Sequence, residues 1–118
     1  MAQDKPTAGE LLGAVREFLE SDILPEMNGG RAFHTRVAIN IMGIVCRELS
    51  DAPVFDAAEH EELRRLLGHD GTLPGLVTEL AERIRSGSLD DKRREVTAHV
   101  RKTVEDKLRI ANPGYLDA

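Results

Sequence analysis

Aromatic residues are scarce in this sequence: Phe18, Phe33, Phe55 and Tyr115 are the whole complement, and tryptophan is absent. Single-stranded nucleic acid is usually held on aromatic stacking platforms, and a duplex needs a basic face that a net charge of −5 does not supply. Nucleic acid is therefore not the expected partner. A single cysteine, Cys46, rules out an intramolecular disulfide and fits a reducing compartment. No base neighbours it in sequence, and a nucleophilic role is not expected. Long apolar runs are also missing. The stretch from Val37 to Cys46 is too short to span a bilayer, and the opening MAQDKPTAGE has neither the basic start nor the apolar stretch of a secretion signal. A cytoplasmic protein with no membrane partner is the expectation. Fixed-period repeats and low-complexity segments are absent too, which excludes solenoids and arrays.

What is present belongs to a globular chain: 118 residues, 41% apolar and 31% charged, enough for one helical domain over 1–118 with short tails at 1–6 and 112–118. Thr7-Ala8-Gly9-Glu10 has the form of a capping box, and Leu11, Leu12, Val15, Phe18 and Leu19 follow on one helical face until Pro25 and Asn28-Gly29-Gly30. From Arg31 to Ser50 apolar residues spread around most of the helical circumference, so a mostly buried central helix is expected there. Ser50 to Pro53 reads as a connection, and Asp56 to Glu59 as a capping box of a third helix that starts anywhere from Pro53 to Asp56 and runs to Gly68. Thr72 is placed to cap a fourth helix, stopped by Ser86-Gly87. Asp90 is placed to cap a fifth, with Val96, Val100, Val104, Leu108 and Ala111 as its apolar face and Asn112-Pro113-Gly114 as its end. The expected fold is all-α, a bundle of about five helices around the helix at 31–50.

One narrow polar stripe interrupts that helix. Arg36, Asn40, Gly43 and Arg47 align along it, and two guanidinium groups beside a glycine can hold a carboxylate or phosphate in bidentate fashion. The same stripe can equally be the solvent-facing edge of a packed helix, or a contact to the chain's own C-terminal tail. Asp70 sits in a Gly68-His69-Asp70-Gly71 turn. Tyr115, in Asn112-Pro113-Gly114-Tyr115, is expected to fold back and anchor the tail, although that tetrapeptide also has the form read by phosphotyrosine-binding and endocytic adaptor domains. His34, His69-Asp70 and a late Asp90, Asp91 or Asp106 follow the ligand order of helical metal phosphohydrolases of the HD type. A turn explains His69-Asp70 without a metal, and no second ligand pair at i, i+4 supports the metal reading. His60 reads as a solvated residue and His99 as a core or boundary histidine. No catalytic residues, metal or cofactor are expected.

Taken in order, DKPTAGELLGAVREFLE, GGRAFHTRVAINIMGIVCREL, LLGHDG and DKLRIANPGY resemble a small bacterial family of unknown function. Its members are typically encoded beside kinase-fold proteins similar to aminoglycoside phosphotransferases, often with acyl-CoA dehydrogenases nearby. The resemblance touches Arg36, Asn40 and Arg47 in the stripe, Asp70 and Gly71 in the turn, and Asn112, Pro113 and Tyr115 at the end. It implies a non-catalytic accessory or regulatory protein partnering the kinase-fold neighbour, with an anion-binding domain built on the stripe as the alternative. Self-association through a leftover apolar stripe is also open.

Overall fold

A computed structural model describes residues 4–117, so residues 1–3 and 118 of the expected tails lie outside the described residues. Helix α1 spans Ala8–Phe18, α2 Gly29–Leu67, α3 Leu73–Ser86 and α4 Arg93–Ala111. Short irregular turns complete the chain: a π-turn at Leu19–Ile23, and 3₁₀ turns at Leu24–Glu26, Asp90–Lys92 and Pro113–Asp117. Among the described residues there is no strand, so the all-α expectation stands. Among the described residues no helix is long and apolar enough to cross a membrane.

Among the described residues the α-helices number four, because the expected second and third helices are one. Pro53 lies inside α2, and neither the break at Ser50 to Pro53 nor the start at Asp56 occurs. Proline deletes the hydrogen bond that its own amide would give to the carbonyl four residues earlier and crowds that carbonyl, which weakens a helix without having to end it. The chain nevertheless divides at this point into two compact units, Met1–Ala52 and Pro53–Ala118.

In the first unit, Thr7 caps α1 as its sequence dictates: its hydroxyl oxygen accepts from the Glu10 amide at 3.1 Å. Glu10 completes the box differently from the usual pattern, its carboxylate accepting from the Thr7 hydroxyl at 3.1 Å and from Lys5 at 2.9 Å. α1 runs antiparallel to the start of α2, because Arg16 Nε donates to the Ile39 carbonyl while the Cys46 thiol reaches the Gly9 carbonyl. The seam between them uses small residues. Gly9 and Gly13 are half-buried on α1, and Ala32 and Gly43 are buried on α2. Such residues let helix backbones approach closely but supply little apolar mass.

The expectation of a mostly buried helix at 31–50 is corrected here. Only Ala32, Ile39 and Gly43 of that stretch are buried. Phe33 is 59% and Ile41 54% exposed, and Val37, Val45 and Leu49 are exposed as well. An apolar circumference says that a helix favours burial; it does not say that the same chain provides the cover.

The second unit has a true core. Leu63, Leu67, Leu76, Leu80, Leu89 and Val96 pack together, with Leu73 against them. The C-terminal half of α2 ends at Gly68, whose positive φ of 79° suits only glycine without strain, and Arg83 and Lys92 reach the last carbonyls at Leu67 and Leu66. Thr72 caps α3 by accepting from the Gly75 amide at 3.1 Å, and Gly87 ends it at φ 81°. Asp90 does not cap α4 by a side-chain bond. It begins a 3₁₀ turn instead, and α4 starts at Arg93.

The face of α4 also differs from expectation. Val96 is buried, but Val100 and Val104 are exposed, while His99 is buried and Thr103, Asp106 and Ile110 are half-buried. The helix is rotated so that three polar residues at i, i+4 and i+7 point inward.

Candidate functional site

The polar stripe of α2 lies entirely within the first unit. Arg36 and Asn40 are exposed, Arg47 is half-buried, and Gly43 is buried between the two helices. α1 contributes a residue that the sequence reading did not assign, Arg16. A methyl group placed on Gly43 would lie 3.2 Å from Arg47 Nη1 and 3.3 Å from Arg16 Nε. The missing side chain therefore lets two guanidinium groups converge on one patch of helix backbone. Arg16 anchors its own position by the 3.2 Å bond to the Ile39 carbonyl, and no described carboxylate pairs with Arg16 or Arg36. Converging like charges are favourable only when something negative or strongly dipolar stands between them.

Asp70 and Tyr115 belong to the second unit. Asp70 stabilises the α2–α3 turn: its carboxylate accepts from the Gly71 amide at 2.7 Å, and it pairs with Arg64 at 3.3 Å and with His60 at 3.8 Å. Tyr115 is 66% exposed, which corrects the expectation that it docks and anchors the tail. The Pro113–Asp117 turn holds itself locally, with the Tyr115 amide donating to the Asn112 carbonyl at 3.1 Å.

The histidines are separately engaged. His69 Nε2 meets the Glu79 carboxylate at 2.8 Å and its Nδ1 donates to the Asp70 carbonyl at 2.8 Å. The bond to Glu79, then the Asp70 carbonyl, raise the His69 pKa, and the His69 partner in turn lowers that of Glu79. Phe33 stacks edge-on with His34. Among the described residues no group of three or more His, Cys, Asp or Glu is placed to hold a metal ion.

A further feature of the first unit is apolar. Leu11, Val15 and Phe18 lie along the outer side of α1 and are exposed, as are Ile41, Val45 and Leu49 on α2. With roughly 100° between successive residues on an antiparallel pair, Leu11 and Val15 fall to the same side as Ile41, Val45 and Leu49. Arg36, Asn40 and Arg47 fall to the other. The apolar row and the polar stripe thus lie on opposite sides of the hairpin, although the exposed Phe33 falls beside Asn40 on the polar side.

No curated protein and no solved structure matches the chain. Residues 25–115 match the family described as a domain of unknown function, DUF6285; α1 and its Arg16 precede the matched segment. With most of its length inside that match, the chain belongs to the DUF6285 family.

Proposed function

We propose that this chain is a non-catalytic accessory module that docks onto a folded protein partner through the apolar side of its first unit. The observation that carries the reading is the row Leu11, Val15, Phe18, Ile41, Val45 and Leu49, large apolar side chains left in solvent. Each is between 37% and 54% exposed, and clustered apolar side chains left in water commonly mark a surface for another protein. For the partner we take the kinase-fold, phosphotransferase-like protein suggested by the resemblance of the sequence, acting in acyl-CoA or related small-molecule metabolism. A regulatory contact of this kind requires no chemistry from the accessory chain itself.

Co-expression of the two proteins followed by size-exclusion chromatography tests the proposal. Co-elution of the wild type, lost in Ile41→Asp and in Val15→Asp while both variants keep their helical circular dichroism, is the expected result. Separate elution at micromolar concentration overturns it. A dimer of this chain alone, broken by the same substitutions, would instead assign the face to a second copy.

One observation favours a second reading, a small anionic ligand on the polar side. It is the convergence of Arg16 and Arg47 on Gly43, next to Arg36 and Asn40. Inorganic phosphate should then raise the melting temperature of the wild type but not of Arg16→Ala or Arg36→Ala. Equal shifts in all three proteins would remove this reading and leave the first untouched.

A further inference from the structure

Because His99, Thr103 and Asp106 take the inward side of α4, two of its valines are turned outward, and they do not stand alone there. Val100 and Val104, with Ile84 of α3, are each between 40% and 49% exposed. Together with Val96 they form the apolar lining of a groove of about 490 Å³ along α4. Thr97, Arg101 and Glu105 are its polar members. The groove lies wholly within the second unit. A trough of branched aliphatic side chains with charges along one edge is a seat for an amphipathic helix.

The charges identify which helix. Arg101 and Glu105 stand one turn apart on the same flank of the valine row, about 100° and 140° around the helix from Val100. Neither pairs with any described residue. Base before acid is also the less favourable order for a pair within one helix. A two-fold axis supplies the missing partners, because antiparallel helices related by it set the same flank of each copy against the other. With Val100 of one copy against Val104 of the other, the axis crosses α4 level with residue 102. Arg101 then lies within about 3 Å, measured along the helix, of Glu105 of the second copy, and the pair recurs on the far side of the axis. In the same register Arg93 and Arg94, also without described partners, come level with residues 110 and 111 of the second α4, the negative end of its dipole. A parallel pairing in register would instead set Arg101 level with its own copy.

We propose that the α4 groove is the docking site for a second copy of this chain, the two α4 helices running antiparallel with Val100 against Val104 and Arg101 against Glu105 in both directions. The contact is separate from the apolar row of the first unit and requires no other protein. One helix pair buries less than the ~1,200–2,000 Å² of a standard interface, so the dimer is weak, with a Kd of about 10–100 μM.

Sedimentation equilibrium of the full chain from about 5 to about 500 μM reads the association. A monomer–dimer equilibrium is expected in that range. Val100→Asp, which puts a charge in the groove, and Arg101→Glu or Glu105→Arg, which set like charges opposite one another, should each raise the Kd at least about tenfold. The double exchange Arg101→Glu with Glu105→Arg keeps the attraction and should return the Kd to within about threefold of wild type. Val15→Asp, in the first unit, should leave it unchanged. None of these four side chains is buried, and helical circular dichroism checks that each variant folds. A chain still monomeric at the highest concentration, a dimer indifferent to Arg101→Glu, or a double exchange no better than either single one would each overturn the proposal. So would a dimer lost in Val15→Asp but kept in Val100→Asp. Slowed exchange of α4 amides seen only with the co-expressed kinase-fold protein would also overturn it, giving the groove to that partner.

Discussion

The first unit joins its helices through Gly9, Gly13, Ala32 and Gly43, whereas the second is filled by Leu63, Leu66, Leu67, Leu76, Leu80 and Leu89. Both contain abundant large apolar residues; the difference is where they are placed. In the second unit they face one another, and the ends of the helices are closed by Thr72, Gly68 and Gly87 and by the cations Arg83 and Lys92. In the first unit the inward positions go to residues that permit close approach, and Leu11, Val15, Phe18, Phe33 and Ile41 are left outside. One unit is built to be stable by itself. The other leaves much of its apolar surface in solvent.

Single truncations should separate the two sharply. Leu63 is 0% exposed, and Leu63→Ala should lower stability by about 2–5 kcal/mol in urea denaturation, the loss expected for a cavity in a closed core. Ile41→Ala should change it by no more than about 0.5 kcal/mol in the isolated chain, as for an ordinary surface position. Comparable losses at the two sites would break the contrast.

Pro53 stands where the units meet, and its effect should be intermediate. Proline in a helix interior is about 3 kcal/mol less favourable than alanine, so Pro53→Ala should stabilise the chain by up to that amount, seen as a higher urea midpoint. A destabilised variant would mean that the interruption itself is required for packing.

The residues that punctuate helices were legible in the sequence, because capping and positive φ are local chemistry. Thr7, Thr72 and Gly87 do what their neighbours dictate. Pro53 misled, since it weakens a helix without having to end it. The circumference of 31–50 misled for another reason: periodicity reports which residues prefer burial, and cannot report that Phe33 and Ile41 are left exposed. The alignment of Arg36, Asn40, Gly43 and Arg47 follows from helical spacing alone. Arg16 does not, because its approach to Gly43 depends on the antiparallel register of a second helix. Its one visible sign is that it is the lone charged residue among the inward positions of α1, with Gly9, Leu12 and Gly13. His99 is buried, as expected of a core or boundary histidine, but the inward turn of Thr103 and Asp106 in place of Val100 and Val104 was not legible, because valines are the natural inward face.

The smallest predicted effect belongs to the turn that closes the second unit. A raised His69 pKa contributes stability that is fully present below its ordinary 6.5 and is lost as pH rises through the raised value. A lowered Glu79 pKa contributes stability present above its ordinary 4.5 and lost as pH falls through the lowered value. The pair therefore works at full strength between pH 4.5 and 6.5. The gap in urea midpoint between wild type and Glu79→Gln should be widest in that window and narrow on both sides; a gap independent of pH would contradict the pairing.

Hydrogen exchange read by mass spectrometry, on the chain alone and with the co-expressed kinase-fold protein, tests the division most directly. The account predicts that amides of Ala8–Phe18 and of residues 33–49 exchange faster than those of α3 in the isolated chain, and slow markedly when the partner is present while α3 is unchanged. Exchange at a uniform rate across both units, unaltered by the partner, would contradict it.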